Sequence, residues 1–150
     1  MARNMLIQPF LKWAGGKRQL IKEIEKYFPN KISTYYEPFL GGGAVLFYLQ
    51  PKKAIINDYN ADLINTYKVI MDNIEELIEN LKKHKNTSEY FYYIRGLDRK
   101  PEFKNLNNIE KASRLIYLNK TCYNGLFRVN SQGEFNTPFG NYKNPNIVNE

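Results

Sequence analysis

The chain has 150 residues, of which 43% are hydrophobic and 25% charged, as in an ordinary globular domain with a modest core. Its net charge of +7 favours a polyanionic partner, of which nucleic acid is the commonest. The single cysteine, Cys122, excludes an internal disulfide and favours a reducing compartment, and one cysteine with one histidine argues against a structural zinc site. No apolar run has membrane-spanning length or the form of a secretory signal, so we expect a cytoplasmic protein without a membrane contact.

The first part of the chain alternates between predicted helices and predicted strands. The expectations rest on apolar residues at helical spacing and on short β-branched, aromatic or apolar runs. In chain order the elements are a helix over 17–28, a strand over 34–39, a short helix over 42–49, a buried parallel strand over 53–58 and a helix over 60–85, capped by Asn60 and broken near Asp72 and Asn73. This order predicts an α/β unit with a parallel sheet.

The predicted pattern of helices and strands changes after residue 86. The predicted elements there are a helix over 88–97, a polar loop over 99–108, a helix over 109–123 and a β-hairpin over 126–136 that turns at 131–133. We therefore place a subdomain boundary near residue 86, which divides the chain into 1–86 and 87–150. The second part has the character of an insertion that carries a hairpin.

Three consecutive glycines, Gly41, Gly42 and Gly43, stand in "YEPFLGGGAVLF" between a predicted strand and a predicted helix. Glycines at such a turn let a ligand approach the backbone and the free N–H groups of the helix. Asp58 ends the next strand, where an acid can accept hydrogen bonds from a ribose diol. The sequence has no phosphate-binding fingerprint, and Glu37 would repel a phosphate, so a nucleoside ligand without phosphate, such as the cationic S-adenosylmethionine, fits better. The alternative is a tight structural turn.

A second glycine pair lies in "FLKWAGGKRQL", just before the first predicted helix. Trp13 has a ring that can stack on a purine. Lys17 stands at the helix start, where a cation is unfavourable beside the helix dipole, and this suggests an external partner. On spacing alone, the simpler explanation is that Lys17 is solvated and that Trp13 is an ordinary packed residue.

Four motifs follow one another in an order that resembles the Dam-like, D12-class DNA adenine-N6 methyltransferases. They are "FLKWAGGKRQL", "YYEPFLGGGAVLF", "AIINDYNADLINTY" and "YLNKTCYNGLFRVNSQGEFNTPFGNYKNP". The resemblance covers nearly all of the chain and implies a partial Rossmann-like, S-adenosylmethionine-dependent methyltransferase fold. Within it, 87–150 is an inserted target-recognition subdomain of helices and a β-hairpin. The family includes the GATC methylases of bacteria and phages.

The resemblance also implies roles for particular residues. Residues carried over to S-adenosylmethionine binding are Trp13, Lys17, Glu37, Phe39, Gly41, Gly42, Gly43 and Asp58. Residues carried over to contact with double-stranded DNA are Tyr123, Asn124, Leu126, Arg128, Pro138 and Asn141.

The chemistry of the DNA set suits a protein that flips a base. An aromatic side chain with an amide, Tyr123 and Asn124, can fill the gap that an extruded adenine leaves, and Arg128 can read a guanine edge. Asn and Gly are also simple turn formers, so a solvated hairpin is the alternative that the residues alone favour.

Two departures from the family pattern stand out. Many GATC methylases have an arginine where this chain has Asn141, so GATC or a similar sequence is expected with one base contact fewer. The family's catalytic D-P-P-Y is absent, and neither Asp58 nor Asp98 precedes a Pro-Pro pair.

We therefore expect an N-terminal portion of the enzyme that does not methylate DNA efficiently alone. A complementary C-terminal polypeptide or self-association would complete the sheet. The competing interpretations are a non-catalytic module that binds DNA or S-adenosylmethionine, and an unrelated nucleotide-binding protein that uses its glycines on phosphate.

Overall fold

A computed structural model describes residues 7–148 of the chain. The described residues form two compact units, one ending at Tyr59 and the other beginning at Asn60. This division falls earlier in the sequence than the subdomain boundary predicted near residue 86, and the functional assignment of 1–86 and 87–150 stays a prediction. Over residues 7–148, no helix has the length and apolar character that a membrane crossing requires.

The helix predicted over 17–28 is broken into three short pieces. Helix α1 covers only Ile21–Ile24, with 3-10 turns over Lys17–Leu20 before it and Glu25–Tyr27 after it. Ile21 is the one residue of these pieces that is buried. Because most helical stability in proteins comes from burying an apolar face, a segment with so little buried surface does not form a long regular helix.

Two parallel strands and the helix between them form the centre of the first unit. Strand β1 covers Tyr35–Glu37, helix α2 covers Ala44–Leu49, and strand β2 covers Ala54–Ile56. Tyr36 pairs with Ile55 in the middle of the ladder. The predicted order of elements and the parallel pairing are confirmed. The larger Rossmann-like fold stays a prediction.

The expectation that the second strand is buried is wrong. Ile55 is 51% exposed, its partner Tyr36 is 66% exposed, and Ala54 is exposed as well. Parallel strands read as continuous apolar runs because both faces are normally covered. Here the apolar run is present, but the face that carries Tyr36 and Ile55 is uncovered within the described residues.

Four helices build the second unit: α3 over Ala61–Asp72, α4 over Ile74–Leu81, α5 over Ser88–Arg95 and α6 over Asn108–Thr121. The Asn60 side chain accepts a hydrogen bond from the Leu63 N–H at 2.9 Å, which confirms the predicted cap of α3. The predicted break lies at Asn73, whose non-helical backbone separates α3 from α4.

Helix α6 is the core of this unit. The Asn107 and Glu110 side chains close its N-terminus with a reciprocal capping box. Its buried residues run without interruption from Ala112 to Asn119 and include the charged Arg114. The polar loop predicted over 99–108 contains a 3-10 turn, Pro101–Asn105, and the end of the helix predicted over 88–97 is another 3-10 turn, Gly96–Arg99.

The predicted hairpin is confirmed by an antiparallel bridge between Val129 and Phe135. The N–H of Asn130 donates to the Glu134 carbonyl at 2.9 Å, and the N–H of Gly133 donates to the Asn130 carbonyl at 3.0 Å. Gly133 has a φ of +80°, a conformation that favours glycine, so the turn lies where the sequence predicts it.

The single histidine, His84, is enclosed by the helices of the second unit. Its ring stacks on Tyr117 with centroids 4.3 Å apart. One ring nitrogen lies 3.0 Å from the Tyr90 hydroxyl and the other lies 2.9 Å from the Ser113 hydroxyl. A neutral imidazole can donate from one nitrogen and accept at the other, so both contacts suit the neutral ring. Burial lowers the pKa of His84 from 6.5 to about 4.

This burial predicts a pH-dependent stability. Because the folded pKa lies below the unfolded pKa, the contribution of His84 is complete above pH 6.5 and is lost as the pH falls toward about 4. The loss amounts to at most about 3 kcal/mol of unfolding free energy. As His84 is the only histidine, its ring protons titrate by NMR without an assignment problem. His84→Gln should remove this part of the pH dependence, and a folded pKa at or above 6.5 would contradict the expectation.

Candidate functional site

The first candidate site begins with a buried carboxylate at the end of β1. Glu37 is 5% exposed, and neither of its side-chain oxygens accepts a hydrogen bond within the described residues. The Lys17 ammonium lies 3.2 Å from Oε1 as an ion pair. Burial raises the pKa of the Tyr35 hydroxyl, and the nearby Glu37 carboxylate raises it further. A buried charge with so few partners is costly, which makes Glu37 the strongest candidate for a ligand contact.

Lys17 makes two contacts within the first unit and is partly exposed. Besides Glu37, its ammonium donates to the Phe39 carbonyl at 2.6 Å. Lys17 is thus partly solvated and also has two partners within the protein. Its ammonium group, at the start of a helical segment, contacts the acid that ends β1 and the Phe39 carbonyl just beyond that strand.

The glycine turn and Asp58 come together at the carboxyl ends of the two strands. The Gly41 N–H donates to the Asp58 carboxylate at 2.8 Å. Between them, Leu40 donates to the carbonyl of Asn57 at 2.9 Å, and Asn57 donates to the carbonyl of Glu37 at 2.8 Å. These backbone bonds extend the pairing beyond β1 and β2, and they hold the two predicted acids at one edge.

The chain itself approaches the glycines closely. A methyl group at Gly41 would lie 3.3 Å from Cδ1 of Trp13, and one at Gly42 would lie 3.3 Å from the Leu11 carbonyl oxygen. Gly41 and Gly43 also have positive φ angles, +54° and +73°. The structural explanation of the triplet is thus correct in part, since the glycines make room for the segment that carries Trp13.

The predicted cofactor residues therefore lie together in the first unit. Phe39 differs from the others because its side chain is largely exposed while its carbonyl serves Lys17. Their roles in binding stay predictions.

The second candidate site is formed by two segments of the second unit that the fold brings together. Cys122 and Phe139 form an antiparallel bridge. The Tyr123 N–H donates to the Pro138 carbonyl at 2.8 Å, and the Gly140 N–H donates to the Thr121 carbonyl at 2.8 Å. The six residues predicted to contact DNA therefore lie on or beside paired backbone.

The tip residues of these segments are exposed and conformationally constrained. Tyr123 is 58% exposed, and Asn124 and Asn141 are exposed and adopt left-handed backbone, each with a φ of +55°. The Asn124 N–H donates to the Tyr142 hydroxyl at 2.9 Å. Leu126 and Pro138 are exposed as well. An aromatic side chain and an amide are thus presented on a fixed loop rather than on a free one.

Arg128 lies on the hairpin opposite Asn136. Its Nε donates to the Asn136 side-chain oxygen at 2.7 Å, and Nη2 lies 3.4 Å from the Asn136 carbonyl. An arginine whose Nε is held by a neighbour has a defined direction, which suits bidentate reading of a base edge.

Sequence reasoning missed two residues of this site, Asn136 and Tyr142, and one buried residue of the same unit, Arg114. Asn136 contacts Arg128 across the hairpin, and Tyr142 contacts the more distant Asn124. Their types, amide and aromatic, are common in any loop. Arg114 did carry a signal, because it interrupts the apolar pattern of the helix in "ASRLIYL". A cation in such a position needs a buried partner, and the structure shows that the partner is Asp98.

Comparison with known protein families places the chain in a class of enzymes that modify DNA bases. The chain belongs to the family of D12 class N6 adenine-specific DNA methyltransferases, which matches residues 13–150. It is 47% identical to the type II methyltransferase M1.LlaDCHI of Lactococcus lactis subsp. cremoris over 96% of this chain and 51% of the relative.

Other similar proteins are also methyltransferases or methylases by name. The chain is 44% identical to the type II methyltransferase M.MjaIII of Methanocaldococcus jannaschii, over 97% of this chain and 56% of the relative. It is 38% identical to the DNA adenine methylase of Escherichia coli K12, over 91% and 49%. The chain thus spans about half the length of these relatives.

The close approach at Gly41 predicts a stability difference between two glycines. Gly15→Ala and Gly41→Ala both place a side chain at positive φ, but only Gly41 faces Trp13, whereas Gly15 faces open space. We expect the strained backbone to cost about 1–3 kcal/mol in both variants and the crowding at Trp13 to add to it in Gly41→Ala. Urea unfolding followed by circular dichroism measures the difference. Equal losses would show that the tryptophan contact contributes nothing.

Proposed function

We propose that this chain forms the cofactor-binding and DNA-reading part of a site-specific adenine-N6 methyltransferase. The observation that carries the proposal is the buried Glu37 carboxylate, which accepts no hydrogen bond within the described residues and lies beside the glycine turn. The family supports the reaction type, and the cofactor, the base-flipping contacts and the target sequence are the proposed details.

The residues of the first site fit S-adenosylmethionine. Its sulfonium and ammonium groups are cationic, and a buried carboxylate such as Glu37 attracts and orients them. Asp58 would accept hydrogen bonds from the ribose hydroxyls, since a carboxylate can accept several such bonds besides the one from Gly41. The same acids disfavour a phosphate, which argues against a nucleotide triphosphate as the ligand.

When bound, S-adenosylmethionine supplies an electrophilic methyl group. The residues of this chain hold and orient it. Lys17 keeps the Glu37 carboxylate in place through their ion pair, and the Gly41 bond keeps Asp58 at the same edge. A site fixed by internal contacts needs little rearrangement when the ligand binds, so binding energy is retained.

The second site would act on double-stranded DNA. Tyr123 and Asn124 would enter the duplex where the target adenine leaves the stack, and Arg128 would read a guanine edge. Leu126, Pro138 and Asn141 would line the same contact. A sequence such as GATC suits this set, with Asn141 providing a weaker contact than arginine would.

The complete reaction is proposed for this chain together with further residues. The relatives are about twice as long, and the Tyr36–Ile55 face of the sheet is uncovered in the described part of the chain. A two-stranded sheet is marginal by itself, and parallel strands are normally covered on both faces. A complementary C-terminal segment would cover this face and supply the catalytic tetrapeptide.

The cofactor assignment predicts the effect of one isosteric change. Glu37→Gln should weaken S-adenosylmethionine binding by about 10- to 100-fold, since a hydrogen bond to a charged group contributes about 1.5–3 kcal/mol. Calorimetric titration of the full chain measures the dissociation constant. Glu23→Gln, which changes an exposed glutamate of the same unit, is the matched control and should bind normally. Unchanged binding by Glu37→Gln, or preferential binding of ATP by the wild type, would contradict the assignment.

The proposed assembly predicts complementation. Transfer of labelled methyl groups from S-adenosylmethionine to duplex DNA should be absent with this chain alone. It should appear when the chain is mixed with the part of the Lactococcus relative that lies beyond the matched region.

Ile55→Lys on the open sheet face should abolish that transfer. Ile74→Lys, a similarly exposed isoleucine on α4, should not. Efficient transfer by the chain alone would overturn the need for further residues.

A further inference from the structure

At the outer edge of the hairpin that carries Arg128, side chains instead of a third strand form hydrogen bonds with the backbone. Val129 and Phe135 are directly opposite, with hydrogen bonds from Asn130 to Glu134 and from Asn136 to Arg128 on either side of them. In such a pair the N–H and C=O groups point away from the partner strand. Phe135 therefore presents both backbone groups to whatever lies beside the hairpin.

Two consecutive residues of a 3-10 turn take up these groups. The Phe135 N–H donates to Oδ2 of Asp98 at 2.8 Å, and the Phe135 carbonyl accepts from Nη2 of Arg99 at 2.8 Å. An acceptor and a donor in this arrangement replace the backbone of a neighbouring strand. Since Phe135 is almost fully buried, these groups could not be left without partners at low cost.

Asp98 is itself fixed by the core of the unit. Nη2 of Arg114 lies 2.8 Å from the same Oδ2, and Nη1 of Arg99 lies 2.6 Å from Oδ1. Arg114 is 8% exposed, and its guanidinium also donates to the carbonyls of Ile94 and Arg95 at the end of α5. A cation at a helix C-terminus is favourable, so the whole group of contacts is mutually supporting.

The contact reaches Arg128 through one further residue. Asn136 follows Phe135, donates its N–H to the Arg128 carbonyl at 3.0 Å, and accepts from Nε of Arg128 at 2.7 Å. A shift of the Phe135 peptide therefore moves the amide that sets the direction of the guanidinium.

We propose that Asp98 is a positioning residue that fixes, through the backbone of Phe135, the direction in which Arg128 meets DNA. The proposal rests on the proposed reading of a base by Arg128. It assigns to Asp98 an effect on sequence preference, although Asp98 itself does not touch the base.

The test compares Asp98→Ala, Arg128→Ala and the double variant in the full chain. Each binds a library of short DNA duplexes with a randomised centre, and sequencing of the bound fraction gives the preference at every position. Both single variants should lose preference at the same base pair, by roughly 5- to 150-fold, the range of one bidentate arginine contact. The double variant should lose no more than Arg128→Ala alone, because the two residues act through one contact.

Two further variants separate positioning from general stability. Asp98→Asn keeps a side-chain oxygen for the Phe135 N–H and should retain most of the preference. Asp62→Asn is the matched control, since the charge of Asp62 also acts on Arg114, and this variant should read DNA like the wild type.

The outcomes are distinct. A uniform loss of affinity for all duplexes in Asp98→Ala, or an effect that adds to that of Arg128→Ala, would overturn the positioning role. Unchanged amide hydrogen exchange at Phe135 in Asp98→Ala would also overturn it, independently of DNA. A wild-type chain without any base preference would overturn the proposed DNA reading and the positioning role together.

Discussion

A charge that leaves water needs a partner, and one buried charge organises each unit of this chain. In the second unit, the Arg114 guanidinium is surrounded by Asp98 and by two carbonyls at the end of α5. In the first unit, the Glu37 carboxylate has the Lys17 ion pair and no hydrogen bond among the described residues. The Arg114 charge, whose partners are all within the protein, links the helices to the hairpin and stabilises the fold. The poorly satisfied Glu37 charge has capacity left for a ligand, which is why the two residues suggest different roles.

The need of polar groups for partners also explains the irregular segments. Beyond the ends of the strands, Leu40 and Asn57 continue the backbone pairing, so the glycine turn is fixed without being part of a strand. In the second unit the left-handed Asn124 is held by the Tyr142 hydroxyl. Loops held in this way can present exposed groups precisely, as binding surfaces on rigid scaffolds do.

Local patterns in the sequence were sufficient for much of the fold. The order of strands and helices, the cap at Asn60, the break at Asn73 and the turn of the hairpin all follow from short-range chemistry. The long helix over 17–28 did not form because its apolar residues find little to pack against. The exposure of β2 was not predicted because an apolar run does not show whether another element covers it. Likewise, the candidate acids Glu37 and Asp58 were visible beside the glycines, but the partners of Lys17, Trp13 and Arg114 lie across the fold. Hydrophobic periodicity does not reveal contacts between residues that are distant in sequence.

The position of Trp13 has a practical consequence. It is the only tryptophan in the sequence, and its ring lies against Gly41, beside the proposed cofactor site. Its intrinsic fluorescence therefore comes from the first unit alone, with no label and no contribution from the residues that would meet DNA. A molecule that enters beside the glycine turn changes the surroundings of this fluorophore directly. Trp13 is therefore an intrinsic fluorescent probe at the proposed cofactor site.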